Sequence, residues 1–415
     1  MTMDGCSLLL LLIISTFELL IAGRTVKIAD SKTARYAIVF DAGASKTKME
    51  IYKIKEKSPP LNVTDIQQLN ISPSKVTPGI AELSGNRKIV EDYLKPLLTT
   101  AMKTVPKQKH KSTPIFFLAT GGMRTLREDQ ANAILKEVKK LLNDKNKCPF
   151  MFSPKNAKII SGKLEGVYAW ISINFLKSKF LCGNSPPTYG ILDEGGASSQ
   201  NTFESPGKDA FALTVGGKKY GLSTKSYLGY GLDQARNRYL AIEILSQQSL
   251  TNGVVKSPCH LKGFREQISI SDKKLTIVGT ASVDACRSII EKTFFCKTPD
   301  CKFNDQPSLR GEFFAFAGIF YTARATGMLR CPNCTTPLSA AMFDKSSRIF
   351  CAKKYQDVSR DPYAKNNCFQ SNFVYELLTK GYGLPADKMI QVGKELKGFS
   401  LGWTLGALLY NLKLL

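Results

Sequence analysis

Histidine is scarce in this chain, whose 415 residues include only His110 and His260. Histidine is the side chain that most often serves as a general base and as a ligand for transition metals. Neither histidine lies in metal-ligand spacing with the Cys331-x-x-Cys334 pair, so the sequence argues against a zinc site. A catalytic base is therefore expected among the carboxylates.

Long apolar runs are missing after the first two dozen residues. The run SLLLLLIISTFELLIAG is apolar apart from Glu18 and a few small polar residues, and it is short for a membrane span. We interpret residues 1–23 as a secretory signal peptide, with an uncleaved anchor as the alternative. We therefore expect a mature chain without a transmembrane anchor, secreted or retained in the lumen of the secretory pathway.

Acidic residues are few relative to basic ones, 34 against 58, which gives a formal net charge of +24. Such a charge attracts polyanions such as nucleic acid, sulfated glycans or a small phosphorylated substrate. The lysines are dispersed, as in KTVPKQKHK, and no nucleic-acid-binding module is recognisable. We expect no sequence-specific nucleic-acid partner, and both a solvated basic surface and a site for polyanionic surfaces remain possible.

Cysteine usage agrees with a secretory route. Removal of Cys6 with the signal peptide leaves ten of the 11 cysteines, and most of them cluster from residue 259 to residue 368. Disulfides persist in oxidising compartments, so a local bridge is favoured over redox chemistry for the Cys-x-x-Cys pair. Sequons that begin at Asn62, Asn70 and Asn333 predict N-glycosylation.

The chain is long enough for two domains, and its hydrophobic content of 43% indicates a folded protein. In the first half, predicted strands alternate with predicted helices, which indicates an α/β sheet flanked by helices. Later, GEFFAFAGIFYTARATGM and GFSLGWTLGALLYNL are interpreted as buried helices.

Two similar turns follow predicted strands, a domain's length apart. FDAGASKT places Asp41 before a glycine and a serine, and LDEGGASSQ does the same with Asp193. Glycines let a phosphate approach the backbone, and a carboxylate can hold a divalent cation. One such turn is also common in ordinary β-hairpins. Two of them, a domain's length apart, predict a phosphate site between two halves of the protein that face each other. A P-loop is excluded because Ser45, not glycine, precedes Lys46.

Glu165 is the best candidate for the base. It lies in SGKLEGVYAW at a predicted strand-to-helix junction, where a partly desolvated carboxylate could orient a water molecule. The alternative is an ordinary glutamate in the first turn of a helix, where the helix dipole favours negative charge.

Five segments in order resemble the ecto-nucleoside triphosphate diphosphohydrolases, the apyrase family: FDAGASKT, ATGGMR, EGVYAWISINF, LDEGGASSQ and GWTLGALL. The resemblance extends over about residues 35–412. It implies an α/β, two-domain actin-like (RNase H-like) fold with a nucleotide cleft between the domains. The first domain would comprise residues 35–163 and 394–415, and the second, residues 164–393 with a disulfide-rich insertion.

The resemblance also implies roles for individual residues. Glu165 would activate water, and Asp41 and Asp193 would hold Ca²⁺ or Mg²⁺ through water. The nucleotide base would bind Tyr321, for which plain helix packing is the alternative, and Lys262. The residues that would line the phosphates, the last of them also orienting water, are Ser45, Lys46, Thr47, Thr120, Gly195, Gly196, Ala197, Ser198 and Gln200.

The resemblance implies five disulfides as well: Cys148–Cys182, Cys259–Cys286, Cys296–Cys301, Cys331–Cys334 and Cys351–Cys368. The chain departs from the family pattern at three positions. Ala44 replaces a serine and removes a hydroxyl donor to phosphate, while Lys46 replaces a histidine or glycine. Glu194 replaces an apolar residue and adds negative charge beside Asp193.

The expected function is that of a secreted, divalent-cation-dependent apyrase. It would hydrolyse nucleoside tri- and/or diphosphates to the monophosphate and orthophosphate. The alternatives are a catalytically weakened protein of the same fold that binds nucleotides or polyanions, and a phosphohydrolase of this fold that acts on inorganic polyphosphate.

Overall fold

The computed structural model describes residues 34–415 except for short segments at 86–88, 181–186, 206, 208–209, 248–252, 271–272, 297, 300, 330 and 332–333. The predicted signal peptide, Cys182 and the Asn333 sequon therefore lie outside the described residues. Within the described ranges, no helix combines the length and the apolar character needed to cross a bilayer.

Strands and helices alternate along the chain, as the sequence predicts. The strands are β1 (Ala34–Ala42), β2 (Thr47–Lys55), β3 (Ile66–Gln68), β4 (Lys75–Val76), β5 (Ile115–Ala119), β6 (Ala157–Ile159), β7 (Gly190–Glu194), β8 (Ser198–Glu204), β9 (Phe211–Val215), β10 (Lys218–Leu228), β11 (Val254–Ser257), β12 (Arg265–Ile270), β13 (Lys273–Gly279), β14 (Phe313–Ala317), β15 (Thr336–Leu338), β16 (Ile390–Val392), β17 (Glu395–Leu396) and β18 (Phe399–Ser400). The α-helices are α1 (Val90–Thr104), α2 (Gly121–Arg124), α3 (Glu128–Asn143), α4 (Gly162–Leu176), α5 (Leu232–Ser246), α6 (Val283–Phe294), α7 (Gly318–Ala325), α8 (Ala340–Cys351), α9 (Tyr355–Val358), α10 (Ala364–Glu376) and α11 (Thr404–Asn411).

The first sheet has the order β3-β2-β1-β5-β6, with β4 also paired to β2. Its central strand β1 is buried on both faces, so its sequence is a continuous apolar run. Ala37 and Val39 face the core formed with α4 and α11. Ile38 and Phe40 face the core formed with α1 and α3, because successive side chains of a strand point to opposite faces.

The second sheet has the order β15-β16-β14-β7-β8-β10-β9. One core lies between it and helices α5, α6, α7 and α10. Its other face contributes to the same core as α4, α11 and the first sheet, so these two helices lie between the sheets. The cysteine-rich segment supplies the small sheet β11-β13-β12.

One predicted helix is wrong in its first half. In GEFFAFAGIFYTARATGM, residues Phe313–Ala317 form strand β14, and only Gly318–Ala325 form a helix, α7. A short continuous apolar run does not distinguish a buried strand from a buried helix. Here pairing decides, because β14 lies in parallel between β7 and β16.

The final helix returns to the first half of the chain. α11 packs on α4, and the Gly406 N–H donates to the Ser172 hydroxyl at 2.8 Å. A Cβ on Gly406 would lie 1.8 Å from the Tyr168 carbonyl oxygen, so only glycine fits this close crossing. The predicted boundary at residues 163 and 164 falls inside α4, and the division into domains stays a proposal.

The structure forms the bridges Cys259–Cys286, Cys331–Cys334 and Cys351–Cys368. It does not form the predicted Cys296–Cys301 bridge, because the two side chains are hydrogen-bonded thiols rather than covalently joined sulfurs. Cys148 is a buried thiol, and the partner predicted for it lies outside the described residues.

Candidate active site

The turn between β1 and β2 closes on itself through the Gly43 N–H, which donates to the Lys46 carbonyl at 3.0 Å. Ser45 is exposed at its tip, and Asp41 is half-buried at the end of β1. Thr47 is fully buried, and its hydroxyl accepts a hydrogen bond from Tyr93 at 3.0 Å. The turn therefore offers Ser45 to the cleft, while Thr47 anchors it to α1.

The second turn, between β7 and β8, is fastened to the start of α5. Gly195 donates through its N–H to the Ser198 carbonyl, and its own carbonyl accepts from the Leu232 N–H at 2.9 Å. The Gly196 carbonyl accepts from the Asp233 N–H at 3.0 Å. These hydrogen bonds hold the backbone of residues 195–198, which are predicted to line the phosphates, in one conformation.

The loop of ATGGMR lies between the two turns. A Cβ on Gly122 would come within 2.7 Å of the Ala44 Cα, and one on Gly121 within 2.9 Å of the Ser198 hydroxyl. Both glycines are required because both turns approach the loop so closely. The three segments, with buried Thr120 at the start of the loop, therefore form one site, as the sequence predicts.

Glu165 lies in the first turn of α4, which the Ser161 hydroxyl caps by accepting from the Leu164 N–H. The Arg124 guanidinium donates to the Glu165 carboxylate at 2.9 Å and to the Ser198 hydroxyl at 3.0 Å. A third bond from Arg124, to the Ile160 carbonyl, holds the guanidinium in place. The predicted base is thus joined to the second turn through an arginine.

Gln200 completes this network. Its side-chain nitrogen donates to the Ser198 hydroxyl at 2.6 Å and lies 3.5 Å from the Glu165 carboxylate. No role was predicted for Arg124, although the segment ATGGMR contains it. A basic residue two positions after a pair of glycines at the end of a buried strand was the signal that could have identified it.

Three carboxyl groups lie close enough to shift one another's pKa, and of these Glu165 and Asp193 are buried while Asp41 is half-buried. Burial raises the pKa of Asp41 to about 7, and the nearby Glu165 carboxylate adds to the shift. Burial also raises the pKa of Asp193 well above its usual range, with further contributions from Glu165 and Asp41. Burial raises the pKa of Glu165, while the Arg124 guanidinium opposes the shift. Such a concentration of negative charge favours a cation between the aspartates.

The donor set fits a hydrated hard cation. Among the described residues, no group of three or more histidine, cysteine or carboxylate side chains converges closely enough to hold a metal directly. Asp41 and Asp193, with water as the remaining ligands, would match the preference of Ca²⁺ and Mg²⁺ for oxygen. Coordination of a cation through water stays a prediction.

Tyr321 of α7 is 51% exposed, so the helix-packing alternative does not account for its side chain. The Lys46 ammonium lies 6.0 Å from the centre of its ring, which brings the first turn towards α7. Lys262 is exposed in the cysteine-rich segment, where its carbonyl accepts from the Tyr355 N–H at 2.9 Å. Its contact with the nucleotide base stays a prediction.

Glu194 does not join the cluster of carboxylates. It follows Asp193 on β7, so its side chain points to the opposite face of the sheet. There it is fully buried beside Gly318, and burial raises its pKa well above the usual range. Burial thus disfavours the negative charge of Glu194, and its carboxyl group lies on the face of the sheet opposite to that of Asp193.

Comparison with known proteins agrees with this geometry. The family model of the GDA1/CD39 (nucleoside phosphatase) family matches residues 27–415. Bovine (Bos taurus) ectonucleoside triphosphate diphosphohydrolase 1 is 30% identical over 451 residues, which cover 96% of this chain and 85% of the relative.

Solved structures show the fold. The crystal structure of nucleoside triphosphate hydrolases from Neospora caninum matches with a TM-score of 0.66 at 13% identity, covering 91% of this chain and 92% of the other. The Ppx/GppA family member from Aquifex aeolicus matches with a TM-score of 0.52 at 13% identity over 92% and 98% of the chains. The predicted two-domain actin-like α/β fold is confirmed, and the chain belongs to the GDA1/CD39 nucleoside phosphatase family.

Proposed function

We propose that this protein hydrolyses nucleoside tri- and diphosphates, releasing orthophosphate stepwise until the monophosphate remains. The observation that carries the proposal is the bond between Arg124 and Glu165, which holds a buried carboxylate beside both phosphate turns. The family and the relatives agree with a nucleoside phosphatase.

Glu165 would accept a proton from the water molecule that attacks the terminal phosphorus. The bond between that phosphorus and its bridging oxygen breaks, and the shortened nucleotide leaves with the bridging oxygen. Burial raises the pKa of Glu165, and the Arg124 guanidinium opposes that shift and so favours the ionised carboxylate. Gln200, which is within 3.5 Å of the same carboxylate, would orient the water.

The two turns would hold the transferred phosphate. Backbone N–H groups at residues 44–46 and 196–198 would donate to its oxygens, together with the hydroxyls of Ser45 and Ser198. Asp41 and Asp193 would hold Ca²⁺ or Mg²⁺ through water. When bound, the cation neutralises phosphate charge, and positioning with charge neutralisation supplies most of the rate in phosphoryl transfer.

We also propose that the protein follows the secretory route. The disulfides support this proposal because such bridges persist in oxidising compartments. Asn70 is exposed and open to glycosylation, while the Asn62 side chain accepts hydrogen bonds from Thr64. Binding of polyanions by the basic surface stays a prediction.

Phosphate release from a panel of nucleoside tri- and diphosphates tests the proposed activity. We expect the purified chain to release phosphate with Ca²⁺ or Mg²⁺. Chelation should reduce the rate by about 10²-fold or more, because metal neutralisation of charge is worth several kcal/mol. No release from any nucleotide, despite measurable nucleotide binding, would instead identify a binding protein of this fold.

A further inference from the structure

Lys48 lies next to the predicted metal site but has no role in the mechanism above. It is on β2 directly opposite Asp41 of β1. Its ammonium donates to Glu50 at 2.5 Å, and its side chain keeps 30% of its surface exposed while that of Glu50 keeps 3%. The Glu50 carboxylate is therefore buried in the core, while the Lys48 side chain is partly exposed.

Glu50 is held rigidly from the opposite side. Its second carboxylate oxygen accepts hydrogen bonds from the Tyr52 and Thr404 hydroxyls. Thr404 begins α11, so the last helix of the chain supports a residue on the second strand. A buried carboxylate requires such partners, because an uncompensated charge in the core is strongly destabilising. Glu50 thereby fixes the ammonium of Lys48 in one position.

The fixed ammonium lies near the two residues that mark the ends of the predicted nucleotide site. Lys48 is paired with Asp41 in the β1–β2 register, and Lys46, two residues before it, lies 6.0 Å from the centre of the Tyr321 ring. Asp41 marks the end that would receive the terminal phosphate, and Tyr321 the end that would receive the base. Glu50 takes one N–H of an ammonium that has three, so two donors remain for a ligand.

We propose that Lys48 contacts the phosphate group between the transferred phosphate and the nucleoside, and that Glu50 is the residue that positions it. This inference rests on the proposed function. Because Glu50 already holds the Lys48 ammonium in place, the side chain loses little conformational entropy when an anion binds. Binding is stronger as a result, without any new contact.

The test compares neutral replacements. Lys48→Met alone leaves Glu50 uncompensated, so the main variant is Lys48→Met combined with Glu50→Gln, which removes both charges. We expect its KM for ATP to rise by roughly tenfold, since a hydrogen bond to a charged group is lost. Lys53→Met is the matched control, because Lys53 lies on the same strand but faces the other side of the sheet.

Three outcomes are distinct. A rise in KM for the double variant but not for Lys53→Met supports the inference. If the wild type is active and the double variant has the same KM as Lys53→Met, the inference about Lys48 is wrong and the proposed function stands. A wild type that hydrolyses no nucleotide overturns the proposed function instead.

The role of Glu50 has a separate readout. Glu50→Gln alone should raise KM, and it should add nothing once Lys48 is methionine, because Glu50 acts through Lys48. This comparison uses whichever of the single variants have a thermal unfolding midpoint close to that of the wild type. An equal rise in KM with and without Lys48 would show that Glu50 has only a structural role.

Discussion

Arg124 connects the chemistry of Glu165 to the shape of the second turn. Its guanidinium contacts the proposed base Glu165, the Ser198 hydroxyl and the Ile160 carbonyl, so it affects both the position and the charge of Glu165. Hydrogen bonds to charged groups are about twice as strong as those between neutral groups. The loss of this one side chain should therefore change both the geometry and the protonation of the base.

Arg124→Gln should shift the acidic limb of the pH profile of kcat/KM to higher pH. Removal of the guanidinium raises the pKa of Glu165 further, so a smaller fraction of the base is ionised at a given pH. At neutral pH we expect a loss of about tenfold or more, within the 10²- to 10⁴-fold that a general base supplies. Arg127→Gln is the control, because Arg127 pairs on the surface with Asp129. An unshifted acidic limb would contradict the assignment.

The candidate residues that lie in recognisable turns could be named from the sequence. Asp41 and Glu165 were identified because each stands at a strand end or a helix start with glycine nearby. Arg124 and the pair of Lys48 and Glu50 were missed. Arg124 contacts Glu165 and Ser198, and Glu50 is held by Thr404, and these partners are far apart in the chain. Local patterns contain no information on such contacts.

At the scale of elements, α11 packs across α4 and positions residues that line the candidate site. Gly406 permits this crossing, and the same helix supplies the hydroxyl of Thr404 to Glu50. Helix propensity alone would favour alanine at position 406 by about 1 kcal/mol. A Cβ added at position 406 would lie 1.8 Å from the Tyr168 carbonyl oxygen, and this overlap opposes the preference for alanine.

Gly406→Ala should lower the free energy of unfolding by about 1–3 kcal/mol, because the added methyl group overpacks the crossing. Gly402→Ala is a matched control, since a Cβ at that position meets no atom within 4 Å. Denaturant unfolding of both variants measures the difference. Equal stability of the two variants would show that the crossing adapts without cost.

The failures of prediction among the elements have a common cause. Phe313–Ala317 was assigned to a helix because its apolar residues fit either structure, and only its neighbours β7 and β16 make it a strand. The small sheet β11-β13-β12 was not predicted, because strand pairing within the insertion is not visible in local patterns. By contrast, the first strands and α3 were predicted, since their periodicity is strong.

At the scale of the whole molecule, the repeated strand-end turns predicted the architecture correctly. Each turn joins two neighbouring interior strands of its sheet, β1 to β2 and β7 to β8, and the loop at Gly121 and Gly122 packs against both turns. The three carboxyl groups lie where the two turns come together, and the net charge of +24 would favour the approach of an anionic substrate. The proposed function therefore depends on both turns rather than on either turn alone.

Turnover by Glu165→Gln tests the central claim most directly. We expect kcat to fall by about 10²- to 10⁴-fold, because the base is lost, while nucleotide binding measured by calorimetry stays close to that of the wild type. Glu128→Gln is the control, as Glu128 also lies in the first turn of a helix but is exposed. If Glu165→Gln hydrolyses nucleotides as fast as Glu128→Gln does, Glu165 is not the base and the proposed mechanism is wrong.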